Sequence, residues 1–121
     1  SAPTYQAFAA PYLRRLDEAF GGLLIHCCGD FGRHAHTLAQ AGLRLRGIEF
    51  HYPFTRIEEL ACLADHTVFI PYISLDKQNR YASASDYYHD LLSHSPEHYR
   101  FWFAWAEDTP EALQFAHDLS F

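Results

Sequence analysis

An α/β fold on a parallel sheet is predicted by two features of the sequence taken together. Four short apolar runs, Leu23 to His26, Leu45 to Phe50, Thr67 to Tyr72 and Tyr99 to Ala106, have the length and the β-branched or aromatic content of buried strands. Between them lie segments with helical spacing, so strand and helix alternate along the chain. Near-continuous apolar strands that alternate with amphipathic helices are the pattern of a parallel sheet covered by its own crossovers. Four such units behind a leading helix amount to the C-terminal half of a TIM-type (β/α)8 barrel.

The leading helix is expected over Thr4 to Phe20, where Phe8, Tyr12, Leu13, Leu16 and Phe20 recur at helical spacing between Pro3 and Gly21-Gly22. Pro11 lies inside this segment and either kinks the helix or marks a later start. Leu23-Leu24-Ile25 reads as a buried strand ending at His26. Asp30 suits the N-cap of a helix that runs to about Ala41 and stops at Gly42. The second strand runs into a His51-Tyr52-Pro53 loop. Thr55, with Glu58 three residues on, resembles a capping box for a helix through Leu63, on whose apolar face Cys62 is expected in the core. After the third strand, the polar stretch Ser74 to Ser85 is the longest expected loop and Asp86 to His94 a helix. Thr109-Pro110-Glu111 opens the last helix, with Pro at its first position.

A length of 121 residues supports one domain with a real core and not two, so residues 1–121 are read as a single unit. The net charge of −6 repels phosphate backbones and argues against nucleic acid as a partner, although clustered arginines can still hold a small polyanion. No apolar run approaches the roughly 20 residues that span a bilayer, and no segment reads as a secretory signal. Three cysteines, two of them adjacent (Cys27 and Cys28), suit a reducing, cytoplasmic setting better than a disulfide framework. The chain begins at Ser1 and contains no Met, as expected of a piece of a longer protein. Half a barrel has two open sheet edges, so a homo-oligomer, or pairing with the missing barrel half, is expected.

Functional residues of parallel α/β sheets gather at the carboxyl ends of the strands. Those ends carry His26, Cys28 and Asp30; then Glu49 and His51; then Tyr72 with Ser74 and Asp76; then Trp105, Glu107 and Asp108. Strand alternation turns His26 and Cys28 to one face and Cys27 to the other, setting an imidazole beside a thiol. That pair suits zinc, and Glu49 on the next strand is the expected third ligand, with His51 as alternate or outer partner. Tyr72, His51, Asp30 and Arg33 are candidate contacts to a small-molecule substrate, Arg33 through an anion at the Gly29–Gly32 turn. The plainer readings are a histidine satisfied by backbone, a cysteine packed as a small apolar group and a glutamate in an ordinary ion pair. His34 and His36 read as a solvated helix face, and His89, His94, His98 and His117 as surface histidines. Phe101-Trp102-Phe103 reads as barrel core, and Tyr81, Tyr87 and Tyr88 as the lining of the long loop and its helix.

The stretch Leu24-Ile25-His26-Cys27-Cys28-Gly29-Asp30 resembles a strand and loop of the uroporphyrinogen-decarboxylase superfamily. Its His-x-Cys-Gly element is closest to the branch of zinc-dependent methyltransferases acting on corrinoids or thiols. Pro3-x-Tyr5 with Pro11-Tyr12-Leu13 is similar to the helix before that strand, and Asp108-Thr109-Pro110-Glu111 to the family's closing segment. The resemblance spans nearly the whole chain and corresponds to the C-terminal third or so of a typical member. It implies zinc on His26 and Cys28, with Glu49 at the family's spacing of about twenty residues, and a corrinoid or thiol cosubstrate. Two elements depart from the pattern. The late Cys of the related methionine synthases falls near Phe103, and the Gly-His pair of the decarboxylases is also missing there. The resemblance therefore implies a methyltransferase or, as the alternative, a metal-free pocket for a tetrapyrrole or another carboxylate-rich ligand. A non-catalytic assembly or binding domain is the third expectation. The barrel half that carries the decarboxylases' arginines and catalytic aspartate is not in this sequence, so these residues alone are not expected to turn over substrate.

Overall fold

The structure, a computed structural model, describes residues 1–73, 80–104 and 110–119. Ser74, Asp76, Trp105, Glu107 and Asp108, named above, lie outside the described residues, as does the first half of the expected loop. The leading segment forms two helices, α1 (Ala2–Phe8) and α2 (Ala10–Phe20), divided at Ala9. Pro11 sits in the first turn of α2, where its missing N–H costs nothing, so it marks a start. Gly21, at φ 74°, ends α2 in the left-handed conformation that glycine adopts without strain. Of the periodic apolar residues, Leu13 packs against the core, joined by Tyr5. Phe8, Tyr12, Leu16 and Phe20, four residues apart, form an exposed stripe along the outside.

Four strands, β1 (Leu23–Cys27), β2 (Leu45–Phe50), β3 (Val68–Pro71) and β4 (Arg100–Phe101), pair in the order β1-β2-β3-β4. All three pairings are parallel. The elements between and after them are α3 (Gly32–Gln40), a 3-10 helix (Ile57–Leu63), α4 (Ala84–Ser93) and α5 (Pro110–Asp118). Each strand lies beside its predecessor, which is the winding of a partial (β/α) barrel rather than of a sheet wound in both directions. Crossovers of one hand then put every helix on one face. Ile48, Phe50 and Phe69 on that face are fully buried among Ala35, Leu38, Ile57, Leu60, Tyr87 and Leu91.

Among the described residues the opposite face carries no helix layer. Gly47 lies there between Leu24 and Ile70, so close that a Cβ would come within 3.3 Å of Leu24 Cδ1 and 3.4 Å of Ile70 Cδ1. Leu24 is 57% exposed, and Trp102, just past β4, is 62% exposed.

Five local expectations change. The segment after Thr55 winds as a 3-10 helix, whose three-residue turn brings Ile57, Leu60 and Leu63 inward together. Cys62 is off that row and exposed, not core. Arg56 takes the N-cap position without a side-chain bond, so Thr55 is not the cap. Phe31 is likewise the N-cap residue of α3, although the Asp30 carboxylate still accepts from Gly32 N at 3.0 Å. The described part of β4 is two residues rather than eight, extended by Trp102 N donating to Phe69 O at 2.9 Å. Among the described residues no helix is long and apolar enough to cross a membrane.

Tyrosines tie α4 to the sheet. Tyr87 and Tyr88 are fully buried, and burial pushes the Tyr88 phenol up to about 12. Tyr81 Oη donates to Asp90 Oδ2 at 2.5 Å and Tyr52 Oη donates to the same oxygen at 3.2 Å. These hydroxyls, Tyr81 first, hold the Asp90 carboxyl below the usual range. The folded pKa is thus lower than the unfolded one. The stabilisation is complete above the ordinary carboxylate value of about 4 and is lost as pH falls through the folded value. Asp90→Asn is therefore expected to cost about 1–2 kcal/mol at pH 7 and progressively less toward pH 3, measured by urea unfolding across that range. A cost that does not change with pH would refute the assignment.

Candidate metal centre

The site begins with strand register. His26 on β1 lies opposite Glu49 on β2. Their side chains share the bare face, and His26 Nδ1 meets Glu49 Oε2 at 2.7 Å. That contact fixes which ring nitrogen points elsewhere. His26 Nε2 faces Cys28 Sγ, also at 2.7 Å. His51, one residue past β2 and largely buried, brings the third donor: one atom each from His26, Cys28 and His51 lie within 4.8 Å of one another. Tyr72, past β3, walls the group, with its ring centroid 4.7 Å from His51 and 6.1 Å from His26. Cys27 turns to the opposite face, as alternation predicts, and packs against the core.

Nitrogen, sulfur and nitrogen are a donor set that zinc accepts. Zinc–ligand bonds of about 2.0–2.3 Å hold tetrahedral donors about 3.3–3.6 Å apart. Separations between 2.7 and 4.8 Å lie within small side-chain rotations of that spacing. Glu49, expected as the third ligand, meets instead the His26 nitrogen turned away from Cys28, the position of an outer carboxylate that orients a ligating imidazole. The cause is the ladder itself, since an in-register neighbour meets the near side of the ring. The strand end carries His51 around to the other side.

Two residues expected in other roles, Thr55 and Tyr87, brace this centre. Thr55 is fully buried, and its Oγ1 accepts from Phe31 N at 2.8 Å and donates to Gly29 O at 3.1 Å, clamping the loop after Cys28. Tyr87 Oη donates to Tyr72 O at 3.3 Å and accepts from Tyr52 N at 3.2 Å. It therefore ties the chain after β3 to the residue that follows His51. Only the pairing of residues distant in sequence reveals these roles, so neither has a local sequence signal.

Asp30 and Arg33 are engaged with each other, at 2.9 Å, and this guanidinium holds the Asp30 carboxyl below its usual range. His36, His89, His94, His98 and His117 are exposed, as expected. His34 differs: it stacks on Tyr5 at 5.0 Å, and its Nδ1 is buried without a hydrogen-bond partner among the described residues. At the other end of the strands, Arg44, Arg46, Arg100 and His66 line a cleft of about 410 Å³ with Asp65. Arg44 is committed to buried Asp17 at 3.1 Å and Arg100 to the Asp65 carbonyl. Set against models of known families, curated proteins and solved structures, the chain matches none of them.

Thr55→Val is expected to cost about 2 kcal/mol, because the buried Phe31 N–H and the partly buried Gly29 carbonyl both lose their partner. Thr55→Ser, which keeps the hydroxyl, is expected to cost about half as much. Urea unfolding measures both, and amide exchange at Phe31 is expected to quicken in the Val variant alone. Equal costs would show that the lost methyl, not the clamp, matters.

Proposed function

We propose that this chain is the C-terminal half-barrel of a uroporphyrinogen-decarboxylase-like protein of the zinc-dependent methyltransferase branch. The reaction read here is methyl transfer to a thiol, or from a corrinoid. The observation that carries the reading is the convergence of His26, Cys28 and His51 beyond parallel strand ends, with Glu49 on the rear nitrogen of His26. Zinc bound there would lower the pKa of a coordinated substrate thiol.

The chain's own residues prepare for that chemistry. Glu49 favours the His26 tautomer whose Nε2 lone pair faces Cys28. Three donors leave a fourth position for the substrate. Leu24 and Ile70 supply an apolar floor on the same sheet face, and Tyr72 covers one side. Asp30 and Arg33, on the loop that follows, are the proposed contacts to a charged part of the substrate. Cys28 must stay reduced to serve as a ligand, and the free state of all three cysteines fits the proposed cytoplasmic setting. Further barrel strands are needed to enclose a substrate, so this half alone is not expected to turn over.

Metal analysis of protein purified without a chelating column tests the reading. About one zinc per chain is expected. His26→Ala, Cys28→Ala and His51→Ala should each lose it, and Glu49→Gln should keep it with an affinity about 10–100-fold weaker. No metal after zinc is supplied would sink the proposal.

The same distances favour one second reading. Cys28 Sγ, His26 Nε2, His26 Nδ1 and Glu49 Oε2 form a continuous relay with both contacts at 2.7 Å. That is a thiol, a base and an orienting carboxylate, and it needs no metal. In that case zinc-free protein would react with iodoacetamide at Cys28, and His26→Ala would slow the reaction at neutral pH about tenfold or more.

A further inference from the structure

A parallel sheet is ordinarily covered on both faces. Here one face has its helices and the other leaves Leu24 and Trp102 exposed around Gly47 and Ile70. Among the described residues both outer strands also keep a free edge, since β1 pairs with β2 and β4 with β3. A sheet wound in sequential order, with helices on one side, buries its other face by closing on itself, and eight strands make that barrel. Four strands are half of it.

The two ends of the sheet differ in a complementary way. Beside β1 stands the exposed stripe of α1 and α2, Phe8, Tyr12, Leu16 and Phe20. Beside β4 lies a groove of about 800 Å³, with Leu92, Tyr99, Phe101, Phe103 and Leu119 among its walls. Charge matches as well. The Arg15 guanidinium lies on the stripe, 5.5 Å from the Tyr12 ring centroid, while Glu97 lines the groove and is exposed.

We infer that the further strands which the half-barrel reading requires come from a second copy: two copies of this chain close one eight-stranded barrel, the helical stripe of each seated in the groove beside β4 of the other. A two-fold axis along the barrel makes both seams the same β4-to-β1 parallel junction, so all exposed surfaces are used with one kind of contact. The junction falls at the metal centre. His26 belongs to β1, an edge strand, so in the closed barrel its other neighbour is β4 of the second copy. The centre is then walled by both chains, whatever chemistry it performs.

Size-exclusion chromatography with light scattering on the 121-residue chain, at tens of micromolar, tests this, with a dimer expected. Leu16→Glu with Phe20→Glu should weaken association on the order of a hundredfold, while circular dichroism and melting temperature of the monomer show it folded. Arg15→Glu and Glu97→Arg should each weaken the dimer, and the two together should restore it. A monomeric wild type, or a dimer indifferent to the stripe substitutions, overturns the inference. Failure of the paired charge reversal to restore association overturns the groove as the stripe's seat.

Discussion

In-register parallel pairing of β1 with β2 is the constraint from which the centre follows. With His26 held opposite Glu49, the carboxylate can reach only the near nitrogen of the ring. The far nitrogen is then turned toward Cys28, two residues on and on the same face. A slip of one residue would turn Glu49 into the helix layer and Phe50 onto the bare face. The burial of Phe50 and Ile48 forbids that slip, because each apolar side chain of that size buried adds about 1.5–3 kcal/mol to the correct register. The core thus decides the chemistry by deciding the register.

Sequential winding accounts for a second group of features. Helices confined to one face leave the other side helix-free among the described residues, and it is on that side that His26, Cys28 and His51 converge beyond the strand ends. The same winding explains why the leading helices look amphipathic in an unexpected sense. Their strongest periodic residues face away from the core, while Tyr5 and Leu13 face it. In a sheet that ended at β1, such a stripe would be a liability.

Strand order, helix order and the pairing of His26 with Cys28 were legible in the sequence because each follows from local period. Leu45 to Phe50 is the clearest case, with the expected and observed strand identical. The 3-10 helix was not legible. Ile57, Leu60 and Leu63 satisfy three-residue spacing, and an α-helix covers the same positions almost as well, so the placement of Cys62 turned on a difference too small to read. The sides on which Glu49 and His51 meet the His26 ring were hidden for another reason. Spacing gives which residues share a strand end, but not which side of a ring each one meets. Thr55 was assigned to a helix cap on a good local signal, and a tertiary demand, the open main-chain groups at Gly29 and Phe31, outweighed it.

Those braces bear on how an exposed centre keeps its shape. His26 and Cys28 are exposed, so packing alone does not hold them. Fixing one side chain costs up to about 2 kcal/mol in lost rotamer freedom, and a loop costs about 1–2 kcal/mol for each residue ordered. Thr55 meets that cost for the loop after Cys28 from a fully buried position, and Tyr87 does so for the chain after His51. Tyr87 stands on α4, and Thr55, in the loop that follows His51, is itself fully buried, so both braces are anchored in the main core. The donors can then converge before anything binds, and a ligand spends little of its binding energy on ordering them. It follows that substitutions in the core beneath Thr55 and Tyr87 should disturb the centre more than substitutions at the exposed loop positions nearer to it.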